Sequence, residues 1–150
     1  TPDKKVSLVG QFAERISQYV EKPLMATAMA IDSGDDCVIL CSCDLVCVGW
    51  NLVLAVRQRL TELGAEFDVN KIILSAIHTH TGPCVKYHEG CGYSDPGYVS
   101  ELGEKLCCAV DEALAALYIA QGALNGTPVQ PDAEEPVVEE PVVTEVTPLE

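Results

Sequence analysis

A chain of 150 residues, 48% apolar and 21% charged, has the length of one globular domain and is too apolar to remain disordered. Its net charge of −14 excludes a basic footprint for nucleic acid, and an anionic membrane surface would repel it. No apolar run approaches the roughly 20 residues that a membrane helix needs. We therefore expect no transmembrane segment, and no signal peptide is recognised.

The first third of the chain is predicted to form strands. Residues 6–10 form a short strand, and residues 23–31 and 37–46 form longer strands that are apolar on both faces. The strand 23–31 is expected to be covered on both faces. The turn-forming segment 32–36 joins these two strands as a hairpin, and the second strand belongs at the centre of a sheet. Arg15 belongs to no motif and is interpreted as a solvated surface arginine.

A helix and a further strand follow. Trp50 opens a helix whose apolar stripe has helical spacing, and Gly64 ends it; the stripe consists of Val53, Val56, Leu60 and Leu63. The apolar run 71–77 then predicts a strand covered on both faces. A strand, a helix and a strand in this order predict a parallel pair. A second amphipathic helix begins at Asp95-Pro96 and ends near Gly122 or Gly126.

These elements define an α/β fold with a mixed sheet, helices packed on it and the element order β-β-α-β-α. The domain spans residues 1–126. Residues 127–150 are predicted to be a disordered acidic tail, because Glu-Glu-Pro-Val-Val occurs at 134–138 and again at 139–143. The sequence predicts no oligomeric state.

The eight cysteines are interpreted as small buried hydrophobic residues in a reducing compartment, so a cytoplasmic location is expected. Four of them lie in one apolar run between Cys37 and Cys47. Residues of one strand do not easily meet the geometry of a disulfide.

The candidate site lies where the strand 71–77 ends. His78 and His80 follow at a spacing of two, which on an extended backbone directs both imidazoles to one side. Asp44 lies near the end of the expected parallel neighbour, so all three should meet at one sheet edge, where α/β proteins bind ligands. The spacing is typical of one or two zinc ligands. The alternatives are two histidines hydrogen-bonded in a loop and an aspartate that caps a neighbouring segment.

A competing metal constellation is Cys84, His88 and Cys91. Cysteine and histidine at short spacing can bind structural zinc, although no fourth ligand is evident. A flexible loop is the alternative interpretation.

The segment Ser75-Ala-Ile-His-Thr-His-Thr-Gly-Pro83 resembles the Ala-Thr-His-Thr-His-Ser-Gly-Pro signature of the neutral/alkaline non-lysosomal ceramidases. The Ser42-Cys43-Asp44-Leu45 strand end and the Val56-Arg57 pair also fit that family. The similarity covers about residues 1–83 and, more loosely, the helix from Asp95 to Leu117. The resemblance implies a zinc-dependent amidohydrolase that cleaves the N-acyl bond of ceramide. His78 would be a zinc ligand, and His80 would position the substrate or the attacking water. From the strand geometry, Asp44 would orient an imidazole as a carboxylate behind the ligand.

The family's other zinc ligands, a histidine, a glutamate and a tyrosine, lie further along a longer chain. We therefore expect an N-terminal fragment of such an enzyme, incomplete and inactive alone, whose complete form would bind zinc and a small-molecule or lipid amide. The alternative is a non-enzymatic α/β interaction module tethered by its acidic tail.

Overall fold

The computed structural model describes residues 1–86 and 92–125. Its elements are β1 (Ser7–Leu8), β2 (Arg15–Ile16), β3 (Ala26–Asp32), β4 (Cys37–Cys43), α1 (Trp50–Glu62), β5 (Ile72–Ala76) and α2 (Pro96–Leu124), with a 3₁₀ turn, Val69–Lys71, before β5. The predicted tail, residues 127–150, lies outside the described residues. The predicted β-β-α-β-α order is confirmed for the elements from β3 onward, and β2 was not predicted.

The main sheet has the strand order β3-β4-β5. The strands β3 and β4 form the predicted antiparallel hairpin, in which Ala28 pairs with Cys41. The strands β4 and β5 are parallel, and Cys41 pairs with Leu74. The mixed sheet, the central position of β4 and the parallel crossover through α1 are therefore confirmed. The carboxyl ends of β4 and β5 consequently lie at the same edge.

Both helices pack on one face of this sheet. The core combines Ile39 and Cys41 of β4 with Val56 of α1 and with Leu106 and Val110 of α2, all at 0% exposure. Small residues at alternate positions of β3, Ala26, Ala28 and Ala30, let α2 approach closely. Burial of these side chains supplies most of the driving force for the fold.

The opposite face of the sheet carries no helix within residues 1–86 and 92–125. Met29 of β3 and Ile73 of β5 are each 53% exposed, and both are paired in register with Leu40 of the central strand. The prediction that β3 and β5 are covered on both faces was therefore wrong. Apolar runs do not reveal on which face the covering elements lie.

The ends of the helices follow their sequence signals. Asp95 accepts a hydrogen bond from the backbone N–H of Tyr98 (3.0 Å) and thereby caps α2, and Pro96 occupies the first turn. Arg57 of α1 donates to the carbonyls of Asn70 (2.9 Å) and Ile72 (3.0 Å), which ties the helix to the start of β5. Val53, Val56 and Leu60 of the predicted stripe are buried, whereas Leu63, beyond the end of the helix, is exposed.

By length and composition alone, α2 could also cross a membrane, since its most apolar 18 residues have a mean hydropathy of 1.3. Core helices of soluble proteins have the same properties, and Leu106, Val110 and Leu114 of α2 lie in the core. The absence of a transmembrane segment therefore stays a prediction.

The cysteines Cys41, Cys43 and Cys107 are buried free thiols, as predicted. Cys108 is an exposed free thiol, so the prediction of burial was wrong for this residue. The neighbouring Cys41 thiol and burial raise the pKa of Cys43, and burial raises the pKa of Cys107 to about 11, so both stay protonated at neutral pH.

Candidate functional site

The N-terminal hairpin of β1 and β2 lies against the segment that follows β5. Leu8 forms an antiparallel bridge with Pro83, and the N–H of Cys84 donates to the carbonyl of Ser7 (2.9 Å). The N–H of Val9 donates to the carbonyl of Gly82 (3.2 Å). The hairpin thus holds residues 82–84 along its edge, immediately after the two candidate histidines.

The chain leaves β5 through a sharp change of direction at His78. Its φ is +68°, and among the described residues it alone combines a side chain with a positive φ. The N–H groups of His78 (3.0 Å) and Thr79 (3.2 Å) both donate to the carbonyl of Leu45, beyond the end of β4. Non-glycine residues in this conformation are uncommon, and they concentrate at functional sites.

The imidazole of His78 is held in one orientation by the protein backbone. Its Nδ1 lies 2.7 Å from the carbonyl oxygen of Val46. A carbonyl only accepts, so Nδ1 carries the proton, and the lone pair of the neutral ring is on Nε2. His78 is exposed, so this nitrogen belongs to an accessible side chain. A histidine that donates through one nitrogen and presents the other is the usual arrangement of a metal ligand.

His80 meets His78 edge to face. The ring centroids are 4.9 Å apart and the planes are inclined by 70°. The expectation that the imidazoles lie together is therefore met, but the reason given for it was wrong. The strand ends at Ala76, and the turn at His78, rather than a continuous extended backbone, brings the rings together.

Asp44 does not orient either imidazole through a hydrogen bond. Its Oδ2 accepts from the N–H of Met25 (2.9 Å), and its own N–H donates to the carbonyl of Met25 (2.9 Å). This pair of bonds fastens the entry of β3 to the exit of β4. The prediction that Asp44 supports the ligand is corrected, because the Val46 carbonyl performs that task for His78. The alternative interpretation, a capping aspartate, fits its contacts.

Two residues of the N-terminal hairpin contact His80, and sequence reasoning identified neither. Arg15 donates from Nη2 to the carbonyl of His80 at 2.5 Å, and its Nε is buried without a hydrogen-bond partner in the part of the chain that the structure describes. Gly10 lies against the ring and backbone of His80. The interpretation of Arg15 as a solvated surface residue was wrong. Its partner is a backbone carbonyl 65 residues away, which no local pattern indicates.

A groove of about 1150 Å³ lies beside the segment that carries the two histidines, although neither imidazole belongs to its lining. Asp44, Ile77 and Thr79 contribute to its lining from the sheet edge, and Thr79 lies between the histidines in the chain. The N-terminal segment supplies most of the remainder, with apolar side chains (Leu8, Ile16, Tyr19, Val20 and Leu24) beside basic ones (Lys5, Arg15 and Lys22) and acidic ones (Asp3 and Glu21). The groove can therefore accommodate an apolar chain together with a polar group.

The described residues contain no cluster of three or more histidine, cysteine, aspartate or glutamate side chains suited to a metal ion. They supply one oriented histidine, His78, with His80 beside it. Of the competing constellation, His88 and Cys91 lie outside the described residues. Cys84 is buried, and its thiol donates to the carbonyl of Lys86 (2.8 Å).

Comparison of the chain with protein-family profiles, with curated proteins and with solved structures found no match. The ceramidase resemblance therefore rests on the motif residues alone.

Proposed function

We propose that this chain supplies the His-Thr-His portion of a zinc-dependent amidohydrolase that cleaves an N-acyl amide bond in a small-molecule or lipid substrate. The observation that carries the proposal is the 2.7 Å contact between Nδ1 of His78 and the carbonyl of Val46. It fixes the tautomer in which Nε2 can bind a metal. The positive φ of His78 is a second local departure from ordinary geometry at the same residue.

The residues fit one ligand position of such a site. His78 would hold the zinc through Nε2. When bound, zinc polarises an amide carbonyl and activates water as a nucleophile at neutral pH. Zinc uses three or four ligands in all, so the others would come from residues beyond those described. Such a division agrees with the resemblance to a longer enzyme.

The other residues would bind and orient the substrate. The imidazole of His80, 4.9 Å from that of His78, can donate or accept a hydrogen bond beside the amide. The groove would take the acyl chain along its apolar side chains, and Asp44 and Thr79 contribute polar atoms to its lining. Binding energy from the acyl chain would thus place the amide beside the ligand histidine.

The first test measures zinc binding to the purified chain by competition with a chromophoric chelator. We expect weak binding that His78→Ala removes and Cys84→Ala leaves unchanged. If zinc binding persists in His78→Ala but is lost in Cys84→Ala, the metal site is instead formed by Cys84, His88 and Cys91. In a longer polypeptide that contains all the zinc ligands, His78→Ala should abolish the release of a fluorescent fatty acid from an N-acyl amide. Full activity of that variant would overturn the proposal.

A second candidate function, a non-enzymatic interaction module, is favoured by the apolar face of the sheet on which no helix of the described residues packs. Met29 and Ile73 are half exposed there, beside Leu40, and an exposed apolar patch is a common feature of interaction sites. Partner capture would then be lost when residues 127–150 are removed or when Met29 is changed to lysine, while the circular dichroism spectrum stays the same. Capture that survives both changes would exclude this candidate.

A further inference from the structure

We propose that Arg15 and Gly10 are positioning residues that together fix His80 beside His78; the use we assign to that placement rests on the proposed function. The two residues come from the N-terminal hairpin and meet His80 from two directions. Arg15 holds the carbonyl of His80, and Gly10 borders its ring and backbone. We call this arrangement the His80 clamp.

The first half of the clamp is a charge-assisted hydrogen bond. The Nη2 of Arg15 lies 2.5 Å from the carbonyl oxygen of His80, and Arg15 is half-buried. A bond from a charged donor contributes more than a neutral one, and the planar guanidinium loses little freedom when it forms. The carbonyl belongs to the residue whose ring must be placed, so the bond restricts the backbone that carries the imidazole.

The second half is a close approach that only glycine permits. A Cβ atom at Gly10 would lie 2.6 Å from Cγ of His80 and 2.8 Å from its Cα and Cβ. Contacts this short do not occur between carbon atoms, so either the ring or the hairpin would have to move. The φ of Gly10 is +110°, which also favours glycine. The side chain of His80 is thus close both to the backbone of Gly10 and to the imidazole of His78.

The hairpin itself does not depend on Arg15. The N–H of Val6 donates to Oγ of Ser17 (2.9 Å), and the N–H of Ser17 donates to the carbonyl of Val6 (2.9 Å). The hydrogen bonds of Ser7 and Val9 with residues 82–84 join backbone atoms, and the side chains of Val9 and Cys84 pack in one buried cluster. Removing the guanidinium should therefore leave the hairpin docked and release only the His80 backbone.

Arg15→Ala tests the first half in the whole, zinc-free chain. Histidine side chains labelled with ¹³C and ¹⁵N report the ring-to-ring nuclear Overhauser effect between His78 and His80. We expect Arg15→Ala to abolish this cross-peak, and Arg15→Lys to restore part of it because an ammonium can donate to the same carbonyl. Arg59→Ala is the matched control, since Arg59 pairs with Glu104 (2.9 Å) on the surface. An unchanged cross-peak in Arg15→Ala would overturn this half of the proposal.

Gly10→Ala tests the second half, with Gly34→Ala as its control. Gly34 also has a positive φ, +92°, but nothing lies within 4 Å of a Cβ built there. Both substitutions strain the backbone, so both lower the unfolding temperature. Only Gly10→Ala should shift the His80 ring resonances. Equal shifts in the two variants, or none in either, would refute the clamp.

These readouts need neither zinc nor hydrolysis. If the clamp is confirmed but His78→Ala keeps full activity in the polypeptide that carries all the zinc ligands, the placement of His80 stands and the proposed function fails. If the chain binds zinc and the His80 signals are unchanged in both Arg15→Ala and Gly10→Ala, the clamp is refuted and the proposed function stands.

Discussion

The left-handed conformation of His78 predicts that glycine is more stabilising than alanine at this position, which is the reverse of the usual order. At most positions, alanine is more stable than glycine, because glycine loses more conformational freedom on folding, by about 0.5–1 kcal/mol. At position 78 the order should reverse, because φ is +68° there and a Cβ atom is strained in that conformation. We therefore compare His78→Gly with His78→Ala.

The magnitude follows from three contributions. Both variants lose the hydrogen bond from Nδ1 to the Val46 carbonyl, worth about 0.5–1.5 kcal/mol, so this contribution cancels in the comparison. The left-handed conformation costs a residue with a Cβ roughly 1–2 kcal/mol, and His78→Gly removes that cost. After the entropy of glycine is subtracted, His78→Gly should unfold with a free energy about 0.5–1 kcal/mol greater than His78→Ala.

Urea unfolding followed by circular dichroism measures this difference. Ile77 is the matched control, because it is exposed, adjacent and without a positive φ. Ile77→Ala should be more stable than Ile77→Gly by about 0.5–1 kcal/mol, the ordinary order. If His78→Ala is also the more stable of its pair, the backbone at 78 is not strained and the reasoning fails.

Three further predictions concern the rest of the fold. Leu106→Ala should lower the free energy of unfolding by about 2–5 kcal/mol, because Leu106 is 0% exposed. Leu124 is 87% exposed, so Leu124→Ala should change this free energy little. Equal effects of the two substitutions in chemical unfolding would contradict this packing. The ion pair with Lys4 and the hydrogen bond to the α2 backbone hold the pKa of Asp95 below its usual 3.8. The stabilisation by this carboxylate is therefore complete above pH 3.8 and is lost as the pH falls through the lower pKa of the folded state. Asp95→Asn keeps a capping oxygen and should lose less stability in acid than the unchanged protein. Identical dependence of stability on pH in the two proteins would refute this linkage. Cys108 should react rapidly with a thiol reagent, whereas the buried thiols of Cys41, Cys43 and Cys107 should react only on unfolding. Early labelling of any of these three, detected by mass spectrometry, would contradict their burial.

Much of the fold could be predicted because local sequence patterns determine it. The turn formers at 32–36 produce the hairpin, and helical spacing around Val56 produces α1 between two strands. The strand, helix, strand order then makes β4 and β5 parallel. Coverage of both sheet faces was predicted wrongly, since an apolar residue such as Ile73 looks the same in sequence whether or not a helix covers it.

The candidate site was likewise predictable from the sequence only in part. The His-Thr-His spacing and its place after an apolar run located the histidines at the sheet edge, because the end of a strand is a local property. The tertiary structure alone decided which groups surround them. The carbonyl of Val46, rather than Asp44, orients His78, and Arg15 and Gly10 hold His80. Backbone carbonyls carry no signature in sequence, and contacts across 65 residues form only when the hairpin folds back onto the strand end. The amino-acid sequence thus determined which residues could carry the chemistry, whereas tertiary packing determined their geometry.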